Sequence, residues 1–307
     1  MRWLRLIVPV LLLAALWHLA DGKAAWARLR QADLVWLLLA CAALHTQTIL
    51  SALRWRLVAG AMGQPMTHGH AVREYYVAQV VNQALPGGVV GDGARAVRAA
   101  NPGTLQGALP AAVAAVVLER ALGQAALLVV LVAGMAASLT LGLISWPAGT
   151  QPMVLLALAG AGALALAGAG AGEVIAARMV ATRATSLRRM IRPAFATKGQ
   201  KLRLFLLSLA IVALNLAAFA ATARATGTPL TAEASVTLIP LILTAMLIPL
   251  SIGGWGWREG AAAALFPLAG APAGAGLVTG ATYGVLILIA ALPGAFWLAR
   301  PALRPRS

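Results

Sequence analysis

Carboxylates are scarce in this chain. It has 8 Asp and Glu in 307 residues, against 24 Lys and Arg, and charged residues make up only 10% of it. A soluble protein carries about 25%. With 61% hydrophobic residues and a mean hydropathy of +0.85, that shortage excludes an ordinary soluble domain and indicates a membrane protein. No long polar stretch remains that could form a separate soluble catalytic domain. Cysteine is limited to Cys41, inside an apolar run, so neither an intrachain disulfide nor a cysteine-based zinc cluster can form. Catalytic signatures are missing as well: there is no G-x-S-x-G and no H-E-x-x-H. Gly91-x-Gly93 lacks the third glycine and the βαβ context of a dinucleotide fingerprint. The expectation is a protein without catalytic residues, bound metal or cofactor.

Basic residues are what the chain has in excess, with a formal net charge of +16. In a soluble protein that would suggest nucleic acid. Here the basic residues cluster at the ends of apolar segments, the pattern of cytoplasmic loops, so no nucleic-acid partner is expected. The stretch 178–203 holds Arg178, Arg183, Arg188, Arg189, Arg192, Lys198, Lys201 and Arg203 with no acid. Arg2 and Arg5 at one end, and Arg300, Arg304 and Arg306 at the other, agree with it. Arg54 and Arg56 mark the end of the second span on the same side.

Apolar stretches at roughly 4–20, 34–53, 105–143, 152–173, 204–225, 234–250 and 274–299 are candidate membrane segments. The first, with Ala25-Trp26-Ala27 after it, also fits a cleaved signal peptide; a retained first span is the preferred alternative. The third is too long for one crossing, so 105–118 is expected to be an arm and about 120–141 the crossing. Residues 257–268 have the length of a half-helix. The fold expected is an all-α polytopic membrane protein with about six full spans plus two re-entrant, broken helix pairs. The whole chain, 1–307, is one transmembrane domain. Its repeat halves run about 1–145 and 150–300, joined by a basic cytoplasmic loop at 174–203. The small-residue stripe Gly276, Gly280, Gly284, and Gly168 with Gly172, suit close helix packing. Packing within the chain is the first reading, a homodimer face the second.

The chain also repeats itself. Residues 85–95 and 248–258 both follow P-x-x-x-x-G-x-G-x-R, with Pro86/Pro249, Gly91/Gly254, Gly93/Gly256 and Arg95/Arg258 in register. Gly/Pro-broken apolar segments in corresponding places of two halves point to a transporter binding site built from discontinuous helices. Gly87, Gly88, Gly91 and Gly93, like Gly253, Gly254 and Gly256, would permit positive φ and close approach. Each helix is expected to restart just after its break, near Ala94 and Trp257, and so to turn free N–H groups toward an anion. Asp92 then doubles as an N-cap. The pairs are expected to enter from opposite sides, the first at about 71–84 and 94–118, the second at about 234–250 and 257–268. Three acids, Asp92, Glu119 and Glu259, match three bases, Arg95, Arg120 and Arg258. Two roles stay open for them: ion-paired struts, whose pairing offsets burial, or direct contacts to substrate. Tyr75, Tyr76, Trp255 and Trp257 line a headgroup cavity or anchor the chain at the interface. His45 lies in a span and is expected to be satisfied structurally.

These pieces resemble the lysylphosphatidylglycerol synthase transmembrane-region family of bacterial flippase-like proteins. The resemblance rests on Leu53-Arg54-Trp55-Arg56, on Asn82 with Leu85-Pro86-Gly87-Gly88, and on Gly91-Asp92-Gly93-x-Arg95. It continues in Glu119-Arg120 and in Pro249-x-Ser251-Ile252-Gly253-Gly254-x-Gly256-x-Arg258-Glu259. Val89-Val90, which lengthens the first Gly-rich turn, and Trp257 depart from the usual pattern. The resemblance implies a multi-pass protein of the bacterial inner (plasma) membrane with membrane lipids as partners, and the basic residues at both ends predict cytoplasmic termini. Because the sequence stops at Ser307, no aminoacyl-transferase domain is expected. The function implied is movement of a lipid or lipid-linked headgroup between leaflets. The alternatives are an intramembrane enzyme or accessory subunit of lipid or glycolipid synthesis, and a small-solute carrier.

Overall fold

The computed structural model describes residues 22–85, 89–100, 105–142, 144, 146, 191–248 and 253–299. Among them every regular element is helical, as apolar surroundings demand when no water is present to satisfy backbone groups. The helices are α1 (Gly22–Arg30), α2 (Leu34–Ala61), α3 (His68–Ala84), α4 (Val90–Ala99), α5 (Leu105–Leu141), α6 (Lys198–Ala225), α7 (Ala232–Ala245), α8 (Trp257–Leu265) and α9 (Ala273–Ala299). Leu34–Ala61, Leu109–Leu141, Lys198–Ala225 and Ala273–Ala299 are long and apolar enough to cross a membrane. The expected crossings at 4–20 and 152–173, the signal-peptide alternative, Gly168, Gly172 and the basic residues before 191 lie outside the described residues.

Helix starts follow from capping chemistry. Asp33 Oδ1 accepts from Val35 N at 2.8 Å. Thr67, Thr197 and Thr231 accept from the amide three residues on, each satisfying one of the donors a helix start leaves open.

Three contacts orient the long helices. Asp33 N donates to Ala225 O at 3.0 Å, placing the start of α2 beside the end of α6. Thr226 and Thr279 hydroxyls meet at 2.9 Å, bringing the start of α9 to the same end of the bundle. At the other end, Val58, Ala59, Ala194 and Leu204 share one core with Trp55, Ala96 and Ala115. Exposed Arg73, Arg192, Lys198, Lys201 and Arg203 lie at this second end, hereafter the basic end. Large apolar side chains cover the outside: on α9, Val285, Leu288, Ile289, Leu292 and Phe296 are exposed at helical spacing, a lipid-facing stripe.

Two short hairpins enter the bundle from opposite ends. In the first, α3 runs inward from the basic end and α4 returns antiparallel to it, with Arg98 paired to Glu74 near the mouth. Gly91 packs on the Ala78 backbone deeper in. In the second, α7 runs in from the other end, where Thr237 meets Gly134 of α5 at 3.3 Å, and α8 returns along α9. The tips touch: Gln83, near the end of α3, lies against Gly253 at the turn into α8.

Several elements depart from what the sequence predicts. α5 is continuous through Glu119-Arg120; both are good helix formers and both are ion-paired, so nothing forces a break into arm and crossing. The returning arm of the first hairpin is therefore Val90–Ala99, not 94–118, and α7 ends at Ala245. Because α4 begins at Val90, Gly91 and Gly93 are helical and lack positive φ, and Asp92 sits in the first turn instead of capping it. The second break meets its expectation: Gly253, Gly254 and Gly256 have φ of 56, 80 and 87°, a region closed to most side chains. Gly276, Gly280 and Gly284 are all buried, and α8 occupies their stripe.

Candidate functional site

Helix packing brings side chains of three other helices to one carboxylate. Glu119 of α5 receives Arg54 of α2 through Nη2 at 2.7 Å and Nε at 3.2 Å. It also accepts from Tyr75 OH of α3 at 3.2 Å and from Arg95 Nη2 of α4 at 2.9 Å. Arg54 reaches on to Ser208 of α6 at 3.0 Å. Asp92 extends the network: Arg95 Nε lies 2.9 Å from Oδ1, while Oδ2 takes Asn82 Nδ2 at 3.0 Å and Arg120. Asn82 turns its other end to Gly91 N at 2.7 Å, so one side chain joins α3 to the start of α4.

Arginine can serve this way because its planar fork offers five donors and two stacking faces. Arg95 uses both. Its guanidinium carbon sits 4.7 Å from the Trp55 ring and 4.5 Å from the Tyr75 ring. Its side chain is 0% exposed and that of Glu119 is 1%, whereas Arg120 is 41% exposed. The network therefore has a closed centre and one accessible edge, at Arg120 and Asp92.

The second site repeats the design with fewer parts. Arg258 of α8 pairs with Glu259 and donates from Nε to Gly280 O of α9 at 2.8 Å. Its guanidinium carbon lies 4.9 Å from the Trp255 ring and 5.9 Å from the Tyr283 ring. Glu259 reaches back to accept from Gly256 N at 2.6 Å, holding the turn to the helix it starts. Room for each fork comes from a glycine on a neighbouring helix: a side chain at Gly123 would crowd Arg54, and one at Gly284 would overlap Arg258. Both repeated arginines thus lie on one Trp and one Tyr face, in contact with carboxylate, near the tip of a broken hairpin.

Residues 2–294 match the family model described as lysylphosphatidylglycerol synthase TM region. The chain belongs to this family. No curated protein and no solved structure matches it.

In this family member, Asp92, Arg95, Glu119 and Arg120 form one cluster and Arg258 and Glu259 the other. Gly91 provides close approach to α3, Gly93 is exposed with open space around it, and Gly253, Gly254 and Gly256 build the second turn. Gly87 and Gly88 lie outside the described residues. Arg54 is the residue sequence reasoning misplaced. It is only 3% exposed and serves as a core ion-pair partner, not as a marker of a span's end; Arg56, two residues on, instead reaches Met66 O at 3.0 Å. The available signal was position: Arg54 falls twenty residues into a helix that begins at Leu34, on the face shared by Ser51, Trp55 and Val58. Glu74, paired with Arg98, was missed as well. His45 is satisfied by Tyr76 OH at 2.8 Å, as expected. No group of metal-ligating side chains occurs among the described residues.

Proposed function

We propose that this protein carries a polar lipid headgroup between the leaflets of the membrane while the acyl tails remain in lipid. One observation carries the reading: two broken hairpins enter from opposite ends of an apolar bundle and touch at Gln83 and Gly253, with a stacked, ion-paired arginine behind each tip. Irregular backbone at membrane depth persists only where protein buries it or where it lines a polar cavity. Discontinuous helices in opposed repeats are a common way to build an alternating-access site. The basic end is the cytoplasmic one by the positive-inside rule. Both chain termini belong on that side, and the membrane is the bacterial inner membrane. The first hairpin is then re-entrant from the cytoplasm and the second from outside.

The same groups argue against an intramembrane enzyme. Each interior carboxylate among the described residues is held by arginine, which leaves none as a general base. The test is a fluorescent-lipid exchange assay in proteoliposomes, read by quenching of the outer leaflet. Purified protein is expected to make inner-leaflet lipid accessible faster than protein-free vesicles do. Equal rates for anionic, zwitterionic and cationic lipids, all at the protein-free level, would overturn the reading.

A further inference from the structure

We propose that each hairpin is positioned by the span that follows the other hairpin, so that displacing either one displaces both. The positioning residues are Gly134 of α5 and Gly294 of α9. Gly134 packs directly on the backbone of α7 at Val236, and Thr237 Oγ1 donates to Gly134 O at 3.3 Å. Gly294 packs in the same way on the backbone of α3 at Tyr76 and Val77, and the Tyr76 and Trp297 ring centroids lie 5.8 Å apart. Both glycines are buried, and a side chain at either would overlap the backbone it grips. The two contacts occupy corresponding places in the repeat. Gly134 follows Arg95 by 39 residues, and Gly294 follows Arg258 by 36. Each grips an entering arm: Tyr76 precedes Pro86 by 10 residues, and Val236 precedes Pro249 by 13.

Each span is also joined to the returning arm of its own hairpin. On α5, Glu119 and Arg120 pair with Arg95 and Asp92 of α4. On α9, Gly280 O accepts from Arg258 Nε of α8 at 2.8 Å, and Gly276 packs on the Ala262 backbone. So α5 links α4 of the first hairpin to α7 of the second, and α9 links α8 of the second to α3 of the first. The six helices form a closed ring of contacts. α5 runs unbroken from Leu105 to Leu141, and backbone packed on backbone leaves no flexible side chain to absorb a shift. Close-packed interiors transmit strain, and packed interfaces switch between arrangements instead of deforming smoothly. One hairpin moving alone would have to break a glycine contact or a charged hydrogen bond. This coupling goes beyond the lipid-headgroup reading above, because it belongs to the bundle and not to its cargo.

The experiment reads thiol accessibility to N-ethylmaleimide in proteoliposomes, in a Cys41→Ser background and well below the melting of every variant. One reporter is Leu85→Cys, exposed at the first tip; the other is Ile248→Cys, half-buried beside the second. Trp297→Leu loosens the grip on α3, and Thr237→Val loosens the grip on α7 without adding bulk. Trp297→Leu is expected to change labelling at Ile248→Cys, and Thr237→Val at Leu85→Cys, each by about fivefold, the lower end of ordinary coupling between sites. Gly294→Ala and Gly134→Ala should act in the same crossed sense. Gly60→Ala, where a side chain meets nothing within 4 Å, should change neither reporter. The crossed effects should persist with Gln83→Ala, which removes the tip contact and leaves the spans as the route. Reporters that respond only to the loosened grip on their own hairpin would overturn the proposal, and so would crossed effects that vanish with Gln83→Ala. Labelling is read without transport: crossed effects in a protein that moves no lipid would overturn the translocation reading and leave the coupling standing.

Discussion

Arg54 directs two of its nitrogens, Nη2 at 2.7 Å and Nε at 3.2 Å, onto one oxygen of Glu119, which lies 65 residues away. This pair is the joint of the basic half of the bundle. Arg54 fixes α2, Glu119 fixes α5, and the remaining groups on each side draw in α3, α4 and α6. Among the described residues the opposite half has no equivalent joint. Its core is apolar, built on Phe219, Ile239, Phe266 and Tyr283, and its arginine pairs with the next residue in the chain.

Glu119→Ala is therefore expected to be the most damaging of the single charge removals. It strips Arg54 of its carboxylate partner and leaves Arg95 with Asp92 alone in a low-dielectric interior, a loss of about 3–5 kcal/mol. Arg120→Ala should cost far less, because Arg120 is partly exposed and Asp92 keeps Arg95 and Asn82. Thermal melting in detergent, followed by tryptophan fluorescence, checks the order. Equal melting of the two variants would show that water reaches Glu119.

The two breaks and the presence of matched acids and arginines were legible because Gly and Pro punctuate apolar chain so strongly, and because charge in such a chain has few reasons to exist; that Arg258 takes the adjacent Glu259 and Arg95 takes Asp92 of its own helix was not. Nor was the phase of the first break. Gly91 and Gly93 look like a loop in one dimension, yet α4 absorbs both, since the requirement at Gly91 is a missing side chain against Ala78 and not a special φ. Only the packing partner reveals which of the two uses a glycine serves. Arg54 was obscured for a related reason: beside Arg56 it resembles a span-end marker, and its partner lies far along the sequence. The stacking of both repeated arginines on Trp and Tyr also depends on residues outside the repeated motif, Trp55, Tyr75 and Tyr283.

Those two glycines should part company under mutation. A Cβ at Gly91 overlaps the Ala78 backbone, whereas at Gly93 it meets nothing within 4 Å. Gly91→Ala should push α4 from α3 and cost about 1–3 kcal/mol. Gly93→Ala, an exposed helical site, should gain about 0.5–1 kcal/mol from helix propensity. Melting temperatures moving in opposite directions are the expected result; a shared direction would contradict the helical placement of Gly93.

At the second tip, Arg258→Lys keeps the positive charge and loses the fork. Lysine cannot hold Gly280 O and Glu259 while lying across Trp255, so about 1.5–3 kcal/mol of charged hydrogen bonding is at stake. The variant should melt earlier and its tryptophan emission should shift as Trp255 loses its cation. An unchanged melting curve would mean that a point charge is all this site uses.

In this structure the hairpin tips touch at Gln83 and Gly253, and both repeated arginines are enclosed. A headgroup that passes from one side to the other must separate the tips at least once in each passage. With Cys41 changed to Ser, the chain has no other thiol, so Gln83→Cys combined with Gly253→Cys yields a protein that a short bis-thiosulfonate reagent can bridge only at the tips. Positive φ at Gly253 makes the second substitution cost about 1–2 kcal/mol, so the uncrosslinked double variant serves as its own reference. Lipid exchange in proteoliposomes should fall to the protein-free rate on crosslinking and return after reduction, while each single-cysteine variant is indifferent to the reagent. Exchange that continues through a complete crosslink would place the lipid path elsewhere on the bundle and leave the two arginine clusters with a structural role alone.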